Sequence, residues 1–151
     1  NKVDLLWMSE IDHRCDSIRS EVWKTWPSIP KLIKTSLTEN IEVLHTQNIL
    51  VLVCLDTENA ENVLHNLSLN LEGNRLSKIL LVMENLQNNH SDLYVEQIMQ
   101  QCNDLNMLNV LLIFQDFEIN PRIHGFNRFP NFERKWKKFS THLTRCEFVI
   151  N

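Results

Sequence analysis

Residues 108–132 read LNVLLIFQDFEINPRIHGFNRFPNF. The stretch opens on a continuous apolar run, Val110-Leu111-Leu112-Ile113-Phe114, and turns polar at Gln115-Asp116. A run of that length without alternation is what a strand buried on both faces requires, and the polar break marks its exit from the core. The chain then passes Asn120-Pro121 and Gly125 to an aromatic-proline close, Phe126-Asn127-Arg128-Phe129-Pro130.

Two earlier runs have the same character: Ile49 to Leu55 (ILVLVCL) and Ile79 to Met83 (ILLVM). Successive runs lie about thirty residues apart, the length of a strand, a crossover helix and the next strand. Between the first two, Ala60, Val63, Leu64, Leu67 and Leu71 mark one helical face, with Asn62, Asn66 and Asn70 opposite. Between the second and third, a helix is predicted over about 92–103, with Tyr94 or Val95, then Ile98, Met99, Cys102 and Leu105 as its apolar face and Ser91 as its cap. The fold class that follows is α/β: a parallel sheet of at least three strands (49–55, 79–83, 110–114) with helices on its faces.

The 151 residues fit a single domain. Residues 1–47 read as a mainly helical lead-in, 48–116 as a βαβαβ core, and 117–151 as a loop and basic-aromatic tail. Within the lead-in, Val3 to Met8 suits a short strand, Ser17 to Thr25 a helix, and Pro30 to Ser36 a second helix with Pro30 in its first turn. Ile41 to Leu44 fits either helix or strand. In the tail, Glu133 to Phe139 is predicted helical, and Phe148-Val149-Ile150 is a candidate last strand.

Apolar residues are 43% and charged residues 23%, a globular rather than disordered balance. The net charge of −4 provides no global field for nucleic acid. No apolar run approaches the roughly 18 residues of a membrane helix. Only Gly73 and Gly125 are glycines, which argues against a glycine-rich phosphate loop. The first residue is Asn, so the chain is expected to be a fragment, a mature form or an unusual gene product.

Asp56, Glu84 and Asp116 each follow one of the three runs, so a parallel sheet carries them to its carboxyl edge, where such sheets bind ligands. Three carboxylates there could hold a hard divalent ion, although helix capping and loop solvation account for the same residues. They are the candidate ligand-binding residues; no metal or cofactor is expected. His13, His45, His65, His90, His124 and His142 show no ligand-pair spacing. No nucleophile elbow occurs, so a catalytic role is not expected.

Cys15, Cys54, Cys102 and Cys146 include no CxxC pair. Cys54 and Cys102 fall on apolar surfaces and suit small buried hydrophobes. Cys15 with Cys146 is a bridge to consider in an oxidising compartment. Asn66-Leu67-Ser68 and Asn89-His90-Ser91 are glycosylation sequons, with Asn66 expected to face water. Phe132 to Phe139 interleaves Arg134, Lys135, Lys137 and Lys138 with Trp136, either a solvated helix with an aromatic anchor or a surface for phosphate or membrane.

Several of these segments together resemble a known family. They are Trp26…Ile29-Pro30-Lys31-Leu32-Ile33, Asn48 to Leu55, the Cys102 helix, Asn109 to Phe114 and Phe126-Asn127-Arg128-Phe129-Pro130. The region from Trp23 to Phe132 resembles the amino-terminal extracellular part of the divergent insect ionotropic receptors. These are chemosensory relatives of ionotropic glutamate receptors, and the resemblance is to the fly taste-associated branch above all. It implies an extracellular domain of a ligand-gated cation-channel subunit, with co-receptor subunits as partners and an unidentified small chemosensory ligand. Membrane attachment would come only through segments outside this chain. The tail beyond Pro130 departs from the family pattern, and the agonist-contacting motifs have no counterpart here, so no ligand residue carries over. The alternative is a stand-alone cytoplasmic α/β module that binds a small ligand at its strand ends. Cysteines held as thiols would favour that alternative.

Overall fold

The computed structural model describes residues 4–9, 15–28, 31–34, 49–71, 77–83, 91–107, 109–115, 123–126 and 136–139. The elements run β1 (Asp4–Ser9), α1 (Asp16–Thr25), β2 (Lys31–Lys34), β3 (Ile49–Leu55), α2 (Ala60–Asn70), β4 (Lys78–Met83), α3 (Ser91–Asp104), β5 (Val110–Phe114), β6 (Ile123–Phe126) and β7 (Trp136–Phe139). They build one seven-stranded sheet in the order β2-β1-β3-β4-β5-β6-β7. The first five strands are mutually parallel, and β6 and β7 are added antiparallel. The protein is an α/β fold, and the three predicted strands are β3, β4 and β5.

The chain steps one way from β1 to β2, then returns past β1 to lay down β3, β4 and β5 on the other side. Right-handed crossovers therefore place α1 on one face and α2 and α3 on the other. The cores follow this division. Leu6, Val51, Val53, Leu81, Met83, Leu112 and Phe114 pack beneath α2 and α3, meeting Val63, Leu64, Leu67, Val95, Ile98, Met99 and Cys102. Trp7, Leu52 and Val82 face the other way, with Leu50, Cys54, Leu80 and Ile113 partly buried beside them under Ile18, Val22 and Trp23 of α1. Alternate residues of β1, β3, β4 and β5 thus serve opposite cores, which is why the runs carry no polar alternation.

The two helical layers are unequal. α2 buries Ala60, Val63, Leu64 and Leu67, each large aliphatic contributing about 1.5–3 kcal/mol relative to exposure. α1 buries no side chain fully. Its ion pairs, Asp16–Arg19 at 2.6 Å and Glu21–Lys24 at 2.7 Å, lie on its exposed surface, where such pairs contribute about 0–1 kcal/mol.

α3 ends in a Schellman turn. Met107 N–H donates to Cys102 O at 2.8 Å and Asn106 N–H to Asn103 O at 2.9 Å, closing two helix-end carbonyls. Asn106 takes φ 58° to make this turn, a left-handed conformation that Asn tolerates better than most residues.

Three expectations are corrected. The segment predicted as a helix over Pro30 to Ser36 contains β2, which pairs Leu5 with Lys31 through Met8 with Lys34. Four residues are too few for periodicity to separate helix from strand, and pairing with β1 decides the matter. The predicted helix over Glu133 to Phe139 contains β7, whose Phe139 to Trp136 pair with Ile123 to Phe126. The lead-in contributes two sheet strands as well as α1. The strand expected over Val3 to Met8 is β1, and the helix expected over Ser17 to Thr25 is α1. The alternatives for Ile41 to Leu44 and the candidate strand at Phe148 to Ile150 lie outside the described residues.

Candidate functional site

The order of β1 to β5, 2-1-3-4-5, reverses direction between β1 and β3. Doubly wound sheets open a crevice outside the carboxyl ends of the strands at such a point, because the flanking loops leave to opposite faces. Here that edge is formed by the ends of β1 and β3, with β4 and β5 beyond.

A disulfide lies at this position. Cys15, at the N-cap of α1, is bonded to Cys54 near the end of β3, with Cα atoms 6.2 Å apart and a sequence separation of 39. Cys15 is buried and Cys54 half-buried. Gln115, just past β5, donates from Nε2 to Cys15 Sγ at 3.4 Å, and its backbone N–H donates to Met83 O at 2.8 Å. The end of β5 is thereby tied to both β4 and the bridge. Closing a loop of this length constrains the unfolded chain by about 4 kcal/mol in the chain-entropy account. The bridge replaces the expected alternatives: Cys15 is not paired with Cys146, and Cys54 is not a free buried thiol. Parity explains the latter, because Cys54 shares the α1 side with Leu50 and Leu52. Cys102 is the buried free thiol expected of it, and burial pushes that thiol up to about 12, opposed in part by a backbone hydrogen bond.

Asp56 directly follows β3. Its Oδ1 accepts the backbone N–H groups of Glu58 at 2.9 Å and Asn59 at 2.7 Å. Oδ2 accepts from Asn59 Nδ2 at 3.3 Å. The carboxylate thus shapes the turn that feeds α2, the capping role weighed for it from sequence. Tyr94 of α3 reaches across and donates its hydroxyl to Thr57 O at 3.1 Å, close also to Asp56 O at 3.5 Å. Gln101 Nε2 donates to Glu61 O at 3.0 Å. Two long-range bonds from α3 therefore brace the β3–α2 turn and the first turn of α2. Neither Tyr94 nor Gln101 stands out in the sequence, since each occupies an ordinary polar or aromatic helix position.

Glu84 and Asp116 follow the last residues of β4 and β5 but lie outside the described residues, as do Asn89, Cys146, His13, His45, His90 and His142. Of the described histidines, His65 is exposed, and His124 is buried edge-on to Phe114 with ring centroids 6.1 Å apart. Asn66 is half-buried rather than open to water, and its carbonyl accepts from Asn70 Nδ2. Among the described residues no group of three or more His, Cys, Asp or Glu is gathered to hold a metal ion.

The N-terminus of α1 differs from a phosphate-binding turn. Where a dinucleotide site needs glycines for close backbone approach, this turn has a bonded cysteine followed by the carboxylate of Asp16. An open groove of about 580 Å³, lined by Glu61, Leu93, Glu96, Gln100, Gln101 and Asp104 among others, lies along α2 and α3. Its carboxylates disfavour anions. No helix among the described residues is long and apolar enough to cross a membrane.

The chain matches no protein-family model, no curated protein and no solved structure.

Proposed function

We propose that this chain is the extracellular amino-terminal domain of a chemosensory ligand-gated ion-channel subunit, acting in ligand recognition or subunit assembly. The observation that carries the proposal is the Cys15–Cys54 bridge. Disulfides of this kind persist outside the cell and in the secretory pathway, whereas cytosolic thiols are kept reduced. The parallel α/β sheet fits the region to which the sequence bears its resemblance. The use of Asp56 as a turn acceptor favours recognition over turnover, because the carboxylate is already held by two backbone donors. Asn66 and Asn89 are the candidate glycan acceptors, and co-receptor subunits are the partners this reading implies.

The test is expression behind a secretion signal in insect cells, with peptide mapping of the medium. Secretion with Cys15 bonded to Cys54 and a glycan on Asn66 or Asn89 is expected. Retention in the cell, together with stable cytosolic accumulation as free thiols, would reject it. Reading the transcript beyond both ends of the chain then separates a receptor, with downstream membrane helices, from a secreted module.

The sheet order favours a second reading, a stand-alone α/β domain that binds a small ligand at the β1–β3 switch point. Asp56, Glu84 and Asp116 are its candidate contacts. Under that reading a bound ligand broadens or shifts amide signals at residues 55–59 ahead of those in α3.

A further inference from the structure

We propose that the Cys15–Cys54 bridge is a reducible latch on α1, opened by a dithiol reductant that attacks Cys54. The proposal does not depend on the receptor reading. It rests on the inequality of the two helical layers and on the unequal burial of the two cysteines.

α1 meets the sheet through Ile18, Val22 and Trp23, all only partly buried. The opposite helices are anchored by fully buried Val63, Leu64, Leu67, Val95 and Met99. One covalent bond at the first turn of α1 therefore supplies a large share of its attachment. Breaking it leaves the larger core untouched, since neither cysteine belongs to that core.

Cys54 is the less buried of the two cysteines, so the attack of an external thiolate is placed on its sulfur. As the reductant's first sulfur bonds to Cys54 Sγ, the bond to Cys15 breaks and its electron pair leaves on Cys15 Sγ. That thiolate forms at the N-cap of α1, where backbone N–H groups favour negative charge. Gln115 Nε2 already donates to this sulfur. The neighbouring carboxylate of Asp16 is countered by Arg19 at 2.6 Å. The reductant's second thiolate then attacks its own first sulfur and displaces the Cys54 thiolate. The reductant leaves as its disulfide, two electrons have passed to the protein, and both thiolates take protons according to pH.

The test uses the full oxidised chain in native buffer. Dithiothreitol should reduce the bridge without denaturant. Hydrogen exchange should then rise several-fold or more over residues 16–25 and stay unchanged in α2 and α3. With glutathione, an acid-quenched mixed disulfide should map to Cys54. Reduction that requires denaturant, unchanged protection of α1 after reduction, or an adduct on Cys15 would each overturn the proposal. The Cys15→Ser/Cys54→Ser double variant is an independent check. It should keep α2 and α3 protected and α1 open, and loss of protection throughout the sheet would overturn the latch.

Discussion

The indole of Trp23 on α1 meets the indole of Trp7 on β1 edge-on, with ring centroids 5.9 Å apart and planes at 85°. Trp7 is 1% exposed, whereas Trp23 is only partly buried. The pair is the centre of the smaller core. Trp7→Ala is expected to cost about 3–5 kcal/mol by cavity formation. Trp23→Ala should cost less, because part of its ring already meets solvent. A double-mutant cycle in urea should return a coupling of about 0.5–1.5 kcal/mol for the edge-to-face contact. A coupling near zero would deny it.

Asn106 closes α3 at φ 58°. Asn106→Gly should be neutral or stabilising by a few tenths of a kcal/mol, because glycine adopts this conformation without a Cβ clash. Asn106→Val should cost about 1–2 kcal/mol, the penalty of forcing a branched residue into the left-handed region. Thermal melts of the three proteins side by side would test the order Gly, Asn, Val.

Cys102 sets an alkaline limit on stability. Burial raises its thiol from the ordinary 9.0 to about 12, so between these values the folded state retains a proton that the unfolded state releases. This contribution is fully present below pH 9.0 and is lost as pH rises toward 12, at up to about 1.4 kcal/mol per pH unit. Cys102→Ala should flatten that part of the profile, read by denaturant titrations at stepped pH. In the native protein at pH 8, iodoacetamide should leave Cys102 unmodified until unfolding exposes it.

Asp56 serves the turn before α2. Asp56→Ala removes an acceptor shared by two backbone donors and should cost about 1 kcal/mol, with a range of about 0.5–2. Asp56→Asn keeps one side-chain oxygen in place and should cost less. Equal losses in urea melts would mean that charge, not the hydrogen-bond geometry, is what the turn requires.

The central strands were legible because their physics is local. In Val110 to Phe114 one face is buried and the other, Leu111 and Ile113, half-buried, and an unbroken apolar run suits a strand covered on both sides. The faces of α2 and α3 were legible for a related reason, since Val63, Leu67, Val95 and Cys102 recur at helical spacing and are buried. The short edge elements were not. β2, β6 and β7 are four residues each, too short for a period to show. β6 also contains His124 and Gly125, which break any strand pattern. The candidate site was legible only as a place, the carboxyl ends of the strands. The side chains that shape it, Cys15, Cys54, Tyr94 and Gln115, come from four separate segments, and no sequence spacing links them.

The sequence by itself determined an α/β class, the three central strands, the two helices that cover them and the burial of Cys102. Each of these follows from periodicity or apolar run length within about fifteen residues. Only the tertiary structure decided the strand order, the antiparallel extension and the partner of Cys15. Strand order depends on the direction of each crossover, and a crossover is a relation between segments well separated in the chain. The disulfide follows from that order. Cys54 meets Cys15 because β3 lies next to β1, a neighbour that no local pattern names.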